Sequence, residues 1–285
     1  MNSHTYLITI VVPIFNAKKY IDQFLVGLLQ QTFQNYEVLF LDNYSTDGTT
    51  ETIKAIQEKD SRIKLVIEKD KGIYDAMNRG IELANGQWIY FMGSDDVFFN
   101  ENVLRIIAAS LTNTYELVYG DVLWVPNEVL EEGVCTPQLL VNRNINHQRI
   151  FYKKELFAKY GGYKLQYKVA ADHELNIRFF CNNSISKKYM PITIARYHSG
   201  GFSANKLDNV FWSDWKQIFK TNFSKHLPPS EMYNKLGWYS RYEIDRRNYA
   251  KAFPLFCDAL VHNFSFGLLK LTFLQLLQSF KKNAG

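Results

Sequence analysis

Apolar strand-like runs and helical stripes alternate through residues 6–119, and few folds accommodate that order. The run at 6–14 is nearly continuous Ile, Val and Leu and ends near Pro13. Such a run reads as a strand buried on both faces. A helix is predicted over 17–31, a second buried strand over 36–41, a helix over 49–59 and a short strand over 63–67. Then come a helix over 72–84, a strand over 87–92, a helix over 100–111 and a strand over 116–119. This order predicts an α/β protein: a mixed, mainly parallel sheet with helices on both faces. Ligands of such sheets bind beyond the carboxyl ends of the strands. The residues there are Phe15 and Asn16, then 42–47, then 68–71, then 93–96. They are largely polar or acidic, which sheet packing alone does not require.

The second half reads differently. Extended pieces and loops are expected over 134–147, a short helix over 153–160, a helix over 171–180 and a strand over 189–197. From 203 onward the pattern is helical, with a break at Pro228-Pro229. The division expected is a nucleotide-binding and catalytic domain over 1–202 and a helical subdomain over 203–285. A 47% hydrophobic fraction is ample for a core in 285 residues. Cys135, Cys181 and Cys257 are far apart and odd in number. They suit reduced thiols in a cytoplasmic setting better than a disulfide framework. Neither a signal peptide nor a run of about 20 apolar residues is seen.

Four polar segments carry the chemistry. Ser94-Asp95-Asp96 follows the strand over 87–92. Adjacent carboxylates repel unless donors or a cation offset them. Mg²⁺ and Mn²⁺ suit one or two carboxylates plus substrate phosphates, while a solvated helix cap is the plainer reading. Asp42 stands at a strand end before Ser45-Thr46-Asp47-Gly48-Thr49, where capping by Ser45 or Asp47 competes with contact to a base or ribose. Lys71 and Arg79 flank a predicted helix and could meet a phosphate, or be surface residues. Asp172, in Ala171-Asp172-His173-Glu174, is either a helix cap or a catalytic base. His147, Glu174 and His198 are candidate acceptor or phosphate contacts.

In combination these segments resemble family 2 glycosyltransferases of the GT-A (Rossmann-like) fold. The resemblance runs through Val11-Val12-Pro13-Ile14-Phe15-Asn16, Asp42 with 45–49, Lys71-Gly72-Ile73-Tyr74-Asp75-Ala76-Met77-Asn78, Gly93-Ser94-Asp95-Asp96 and 171–175. It covers roughly residues 7–200 and is similar to bacterial enzymes of exopolysaccharide, capsule or O-antigen assembly. It implies that Pro13, Phe15 and Asn16 line a nucleoside pocket and that Asp42 bonds the base. Lys71, Gly72 and Asp75 would border nucleotide and sugar. Asp95 would face ribose and donor sugar, Asp96 would hold Mn²⁺ or Mg²⁺, and Asp172 would be the base of an inverting transfer. The implied donor is a nucleotide sugar, usually of UDP, and the implied acceptor a glycan or lipid-linked hydroxyl. Gly93 departs from the pattern, since many relatives carry an acid there.

The C-terminal third mixes Trp212, Trp215, Phe219, Trp238, Tyr239 and Tyr242 with basic residues, and the stretch 264–280 is apolar with lysines. Aromatic and basic residues together suit a membrane interface, which adds peripheral contact at the inner face of the membrane to the expectations. Packing on the main domain, or a homo-oligomer, explains the pattern equally well. The net charge of +5 forms no dense basic stripe, so nucleic acid is not expected. No GxGxxG follows a strand, which disfavours a dinucleotide enzyme. A nucleotidyltransferase would carry a basic glycine-rich loop where Phe15-Asn16-Ala17 stands. A non-catalytic nucleotide-sugar or glycan-binding module is the remaining alternative.

Overall fold

The computed structural model describes residues 6–198, 207–246 and 248–262. The expectations for 203–206 and for the apolar tail over 264–280 lie outside them. The first strands and helices are β1 (Tyr6–Ile14), α1 (Lys18–Leu29), β2 (Tyr36–Asp42), α2 (Thr49–Gln57), β3 (Ile63–Ile67), α3 (Ile73–Leu83) and β4 (Gly86–Phe91). Then follow β5 (Val97–Phe98), α4 (Val103–Ala108), β6 (Leu117–Val125), β7 (Val129–Glu131), α5 (Pro137–Asn142), β8 (Ile150–Lys153), α6 (Glu155–Tyr160), α7 (Ala171–Phe180) and β9 (Lys187–His198). Helices α8 (Asn209–Ser213), α9 (Trp215–Ile218), α10 (Pro229–Asp245) and α11 (Tyr249–His262) complete the order.

The strands form one mixed sheet in the order β3-β2-β1-β4-β8-β6-β9-β5, with β7 against β6. β3, β2, β1 and β4 run parallel. Strand β8 is antiparallel to its neighbours β4 and β6, while β9 is parallel to β6. Register decides where the loops emerge. Ile14 pairs with Asp42, and Asp42 with Ile67, so three parallel strands end level at one edge.

Alternation along β1 separates the two faces. Ile8, Ile10, Val12 and Ile14 join a core with Ile21, Phe24 and Leu28 of α1 and Leu104 and Ile107 of α4. Val11 faces the other way, toward α3. Helices therefore cover both faces, as the alternating pattern implies. Several short elements differ from the expectation. Residues 137–142 form α5, capped by the Thr136 side chain with Pro137 in the first turn. The two-residue β5 and three-residue β7 are too short for any period to reveal.

The chain divides into two compact units. One comprises 1–135 and 145–207, the other 136–144 and 208–285. A cut at 202/203 would instead leave α5 in the first. In the second unit, α10 and α11 pack as a pair, with the Ser240 hydroxyl donating to the Ala252 carbonyl (2.8 Å). Trp215, Phe219 and Tyr239 are buried within this unit. These rings are core rather than a membrane-facing belt, whereas Trp238, Phe253 and Val261 are exposed. Among the described residues no helix is long and apolar enough to cross a membrane.

Gly80 reports how closely α3 approaches β1. A Cβ there would lie 2.3 Å from Val11 Cγ1. Gly80→Ala is expected to destabilise the fold by about 1–3 kcal/mol through overpacking, read as a lower urea midpoint. An unchanged midpoint would refute this account of the helix–strand contact.

Candidate active site

The loops after β1 and β2 are sewn together. Asn16 adopts a left-handed backbone (φ 49), a conformation asparagine tolerates better than most residues. Its N–H donates to Ser45 Oγ (2.8 Å), and its Oδ1 accepts from Thr46 N–H (2.9 Å). Ala17 N–H donates to Thr49 Oγ1 (2.9 Å) and Lys18 N–H to Asp47 Oδ2 (2.9 Å). Asp42 is buried beneath this loop. Its Oδ1 accepts from the Ser45 N–H (3.0 Å) and hydroxyl (2.6 Å), and its Oδ2 from the Thr50 hydroxyl (2.5 Å). Here Asp42 shapes the loop from inside instead of presenting a free carboxylate to a base. Phe15 is 61% exposed and Tyr44 59% exposed on these joined loops. Sequence reasoning passed over Tyr44, whose left-handed backbone (φ 58) is costly for a bulky residue.

The loop after β4 carries the acidic pair. Asp95 is half-buried and Asp96 is buried. β5 pairs antiparallel with β9, Val97 opposite Arg196. That pairing brings the end of β9 back to Asp96. The His198 N–H donates to Asp96 Oδ1 (2.7 Å), and the Gln148 side-chain amide donates to Oδ2. Burial, with the adjacent Asp95 charge adding to it, pushes the Asp96 carboxyl up to about 8. A Cβ at Gly93 would stand 2.4 Å from Asp96 Oδ2 and 2.9 Å from Asp95 Oδ1. A side chain there requires those two carboxylates to shift, and an acid would add a third like charge beside them.

A divalent cation suits this group. His198 Nδ1 lies 3.7 Å from Asp96 Oδ1, is buried and has no hydrogen-bond partner among the described residues. An orphaned imidazole nitrogen beside an ion-disfavoured carboxylate is a partial donor set. Among the described residues no three His, Cys, Asp or Glu side chains form a full cage. Mg²⁺ and Mn²⁺ sites completed by phosphate and water oxygens need none.

Asp172 is the second residue of α7 and half-buried. The Tyr74 hydroxyl lies 3.0 Å from its Oδ1, which also accepts from the His173 N–H (2.8 Å). Tyr197, on β9, ties the acids together. Burial raises its hydroxyl to about 12, and the charges of Asp96, Asp95, Asp172 and Glu131 all add to the shift, in that order. One ring thus stands within electrostatic reach of four acids that the chain spreads over three segments.

Other candidates fare differently. Glu174 is buried and paired with Lys164 (2.8 Å) and Arg178 (2.9 Å). It is a structural acid rather than an acceptor contact. Burial pushes the His147 imidazole down to about 4, so it is neutral near pH 7 and no cationic phosphate partner. Lys71 is exposed, and its N–H donates to Asp75 Oδ2 (2.8 Å) in the first turn of α3. Gly72 has φ 125 and its N–H donates to Asp70 (2.8 Å). Lys71, Gly72, Tyr74, Asp75 and Lys168 line a cavity of about 40 Å³. Arg79 is held by Glu68 (3.0 Å) and Glu82 (2.9 Å), beside a cavity of about 170 Å³. Pro13 is half-buried at the end of β1.

Residues 9–172 match Glycosyl transferase family 2. That segment exceeds half the chain and holds Asp42, Asp95, Asp96 and Asp172. The chain belongs to this family. It is a glycosyltransferase of glycan biosynthesis. It is 36% identical over 211 residues to the PGL/p-HBAD biosynthesis glycosyltransferase Rv2957 of Mycobacterium tuberculosis, covering 72% of this chain and 82% of the relative. It is 33% identical over 134 residues to UDP-Glc:alpha-D-GlcNAc-diphosphoundecaprenol beta-1,3-glucosyltransferase WfgD of Escherichia coli, covering 47% of this chain and 52% of that protein. Among solved structures, S. aureus TarS 1-349 in complex with UDP-GlcNAc superposes with a TM-score of 0.62 at 16% identity, covering 96% of this chain and 79% of that one. The last likeness shows the GT-A fold alone.

The Asp42 brace has a measurable consequence. Asp42→Asn places an amide N–H₂ where a hydroxyl or N–H now donates, leaving a buried donor unmatched. Such a loss costs about 1–3 kcal/mol and is expected as a lower urea midpoint. Unchanged stability would show that the oxygens are not committed to the loop.

Proposed function

We propose that the protein is an inverting transferase that moves a sugar from a nucleoside diphosphate donor to a hydroxyl. The observation that carries this reading is the acidic pair at the end of β4, where the end of β9 brings the His198 N–H and imidazole to buried Asp96. The charge of Asp172 reaches the same Tyr197 ring as those of Asp95 and Asp96, which supports a role for all three. The donor is read as a UDP-sugar and the group transferred as a hexosyl or N-acetylhexosaminyl unit. WfgD is named for UDP-Glc and an undecaprenol-linked acceptor, which supports a glycan or lipid-linked acceptor in surface polysaccharide assembly. In this reading residues 1–202 contain the donor and catalytic machinery.

The roles follow from the chemistry. Phe15 and Tyr44 offer exposed ring faces for a base, while Pro13 and Asn16 shape the adjoining backbone. Lys71 offers a positive charge, and Gly72 and Asp75 border the sugar. Asp95 faces the ribose and donor sugar. Asp96 and His198, with diphosphate oxygens, would hold Mn²⁺ or Mg²⁺, which when bound offsets the charge of the departing diphosphate. Asp172 accepts the acceptor hydroxyl's proton as that oxygen attacks the anomeric carbon. Attack opposite the leaving group inverts the centre, so one carboxylate near the acceptor suffices. A lipid-linked acceptor favours work at the cytoplasmic face of the membrane. The exposed Phe253 and Val261 of α11 are compatible with peripheral contact there, or with a homo-oligomer.

Two outcomes test the reading. Asp172→Asn is expected to lower turnover by about 10²-fold or more while UDP binding persists. Turnover like the parent's would remove Asp172 as the base. EDTA is expected to abolish release of UDP from a UDP-sugar panel, and Mn²⁺ or Mg²⁺ to restore it. Full activity in chelator would eliminate the cation.

A further inference from the structure

The segment before α7 is gripped from two sides. On one side stands α3, where Tyr74 and Asn78 are four residues apart and so share a helix face. The Asn78 amide donates to the Tyr163 carbonyl (2.9 Å), and its oxygen accepts from the Tyr163 N–H (2.8 Å). A Cβ on Gly162 would stand 2.3 Å from Asn78 Oδ1, so only glycine permits this two-way contact. One turn earlier, the Tyr74 hydroxyl lies 2.8 Å from the Val169 carbonyl and 3.0 Å from Asp172 Oδ1. The Tyr74 ring lies 5.3 Å from that of Tyr163, which in turn meets Phe91 of β4 edge-on at 5.3 Å.

On the other side stands α7 itself. Arg178 donates to the carbonyls of Tyr160, Gly161 and Gly162. Glu174 binds both Arg178 and Lys164. The start of this segment is therefore fixed to the helix that its far end enters. Asp172 sits where the α7 clasp gives way to the α3 clasp.

Sequence alone offers a helix-dipole role for an acid at this place, and that role needs no partner from another helix. Tyr74 supplies one. It is buried, its ring is fixed by Tyr163, and its hydroxyl stands between the Val169 carbonyl and one carboxylate oxygen of Asp172, within hydrogen-bond distance of both. A carboxylate free to rotate would present either oxygen to an acceptor. One held by a rigid donor has its plane set.

We propose that Tyr74 is a positioning residue for Asp172 and that Asn78 anchors the segment it acts on. The inference rests on the reading of Asp172 as the base. It assigns the α3 face a duty toward the acceptor's proton, apart from the donor contacts of Lys71 and Gly72 at the same helix start. Misorientation of a catalytic group by about 1 Å costs up to about 10²-fold.

The test is a double-mutant cycle on the full chain, with UDP release from a UDP-sugar as readout. Tyr74→Phe is expected to lower kcat by about 10–100-fold with donor KM within about twofold. In the Asp172→Asn background, where no base remains to orient, the same substitution is expected to change residual turnover by less than about twofold. Equal losses in both backgrounds would overturn the inference, because a structural defect acts regardless of residue 172. An unchanged kcat in Tyr74→Phe alone would overturn it as well. The single Asp172→Asn variant reports separately on the base, so the two failures are distinguishable. Thermal melts accompany each variant. Should Tyr74→Phe melt early, Asn78→Asp, which keeps the acceptor for Tyr163 N–H, carries the same cycle with the same expected pattern.

Discussion

Asp96 bears the constraint on which the site depends. A carboxylate buried at a strand end, next to another acid, is disfavoured as a lone charge. The fold keeps it there with two donors, the His198 N–H and the Gln148 amide. One comes from the end of β9 and the other from the turn before β8. Three distant segments must assemble before that carboxylate is tolerable. This explains why β5, only two residues long, matters: its pairing with β9 carries His198 to the acid. At Gly93, a side chain would require the two carboxylates it precedes to move.

Periodicity made the sheet and its ligand edge legible. The parallel strands β1 to β4 and helix α7 are strongly patterned, and each was readable from spacing. Level strand ends then follow from register, so 15–16, 42–47 and 93–96 were recognisable as one rim. Among the other short elements, α4 and α6 were read as helices, whereas α5, β5, β7 and β8 were not read from the pattern. The strand pairing of β5, β7 and β8 is decided by partners far along the chain. Helix α5 had a local signal in Thr136-Pro137, an N-cap followed by proline, but it lay in a stretch too short to show a period.

Within the site, residue types were legible and their orientations were not. Asp42 and Glu174 are both acids beside polar turns, and sequence gave no means of telling which oxygens would be spent internally. Burial decides: Asp42 closes its own loop, and Glu174 pairs with Lys164 and Arg178. His147 illustrates the same point for a base, since its surroundings strip it of charge at neutral pH. Gln148, its neighbour, carried no signal of its own, yet it touches Asp96 directly. Tyr197 likewise looks like ordinary strand sequence until the acids gather round it.

The rigidity of this arrangement has a source behind the site. Arg149 is fully buried. Its Nε donates to the Gly120 carbonyl (2.6 Å) and its Nη2 to that of Gly133 (2.7 Å), and it pairs with Glu131 (3.3 Å) and Asp121 (3.5 Å). Glu131 also accepts from Trp124 Nε1 (3.0 Å) and the Asn146 N–H (3.1 Å). Such a network is worth little as net stability, because desolvation offsets most of the attraction. Its effect is geometric. It locks the turn at 147–149 to β6 and β7, and the middle residue of that turn is Gln148. On the proposed donor side, Phe15 and Tyr44 are exposed on loops joined to each other by hydrogen bonds. The side that holds Asp96 is anchored to buried charge. A site proposed to bind a flexible diphosphate and still fix one carboxylate in space is served by that division.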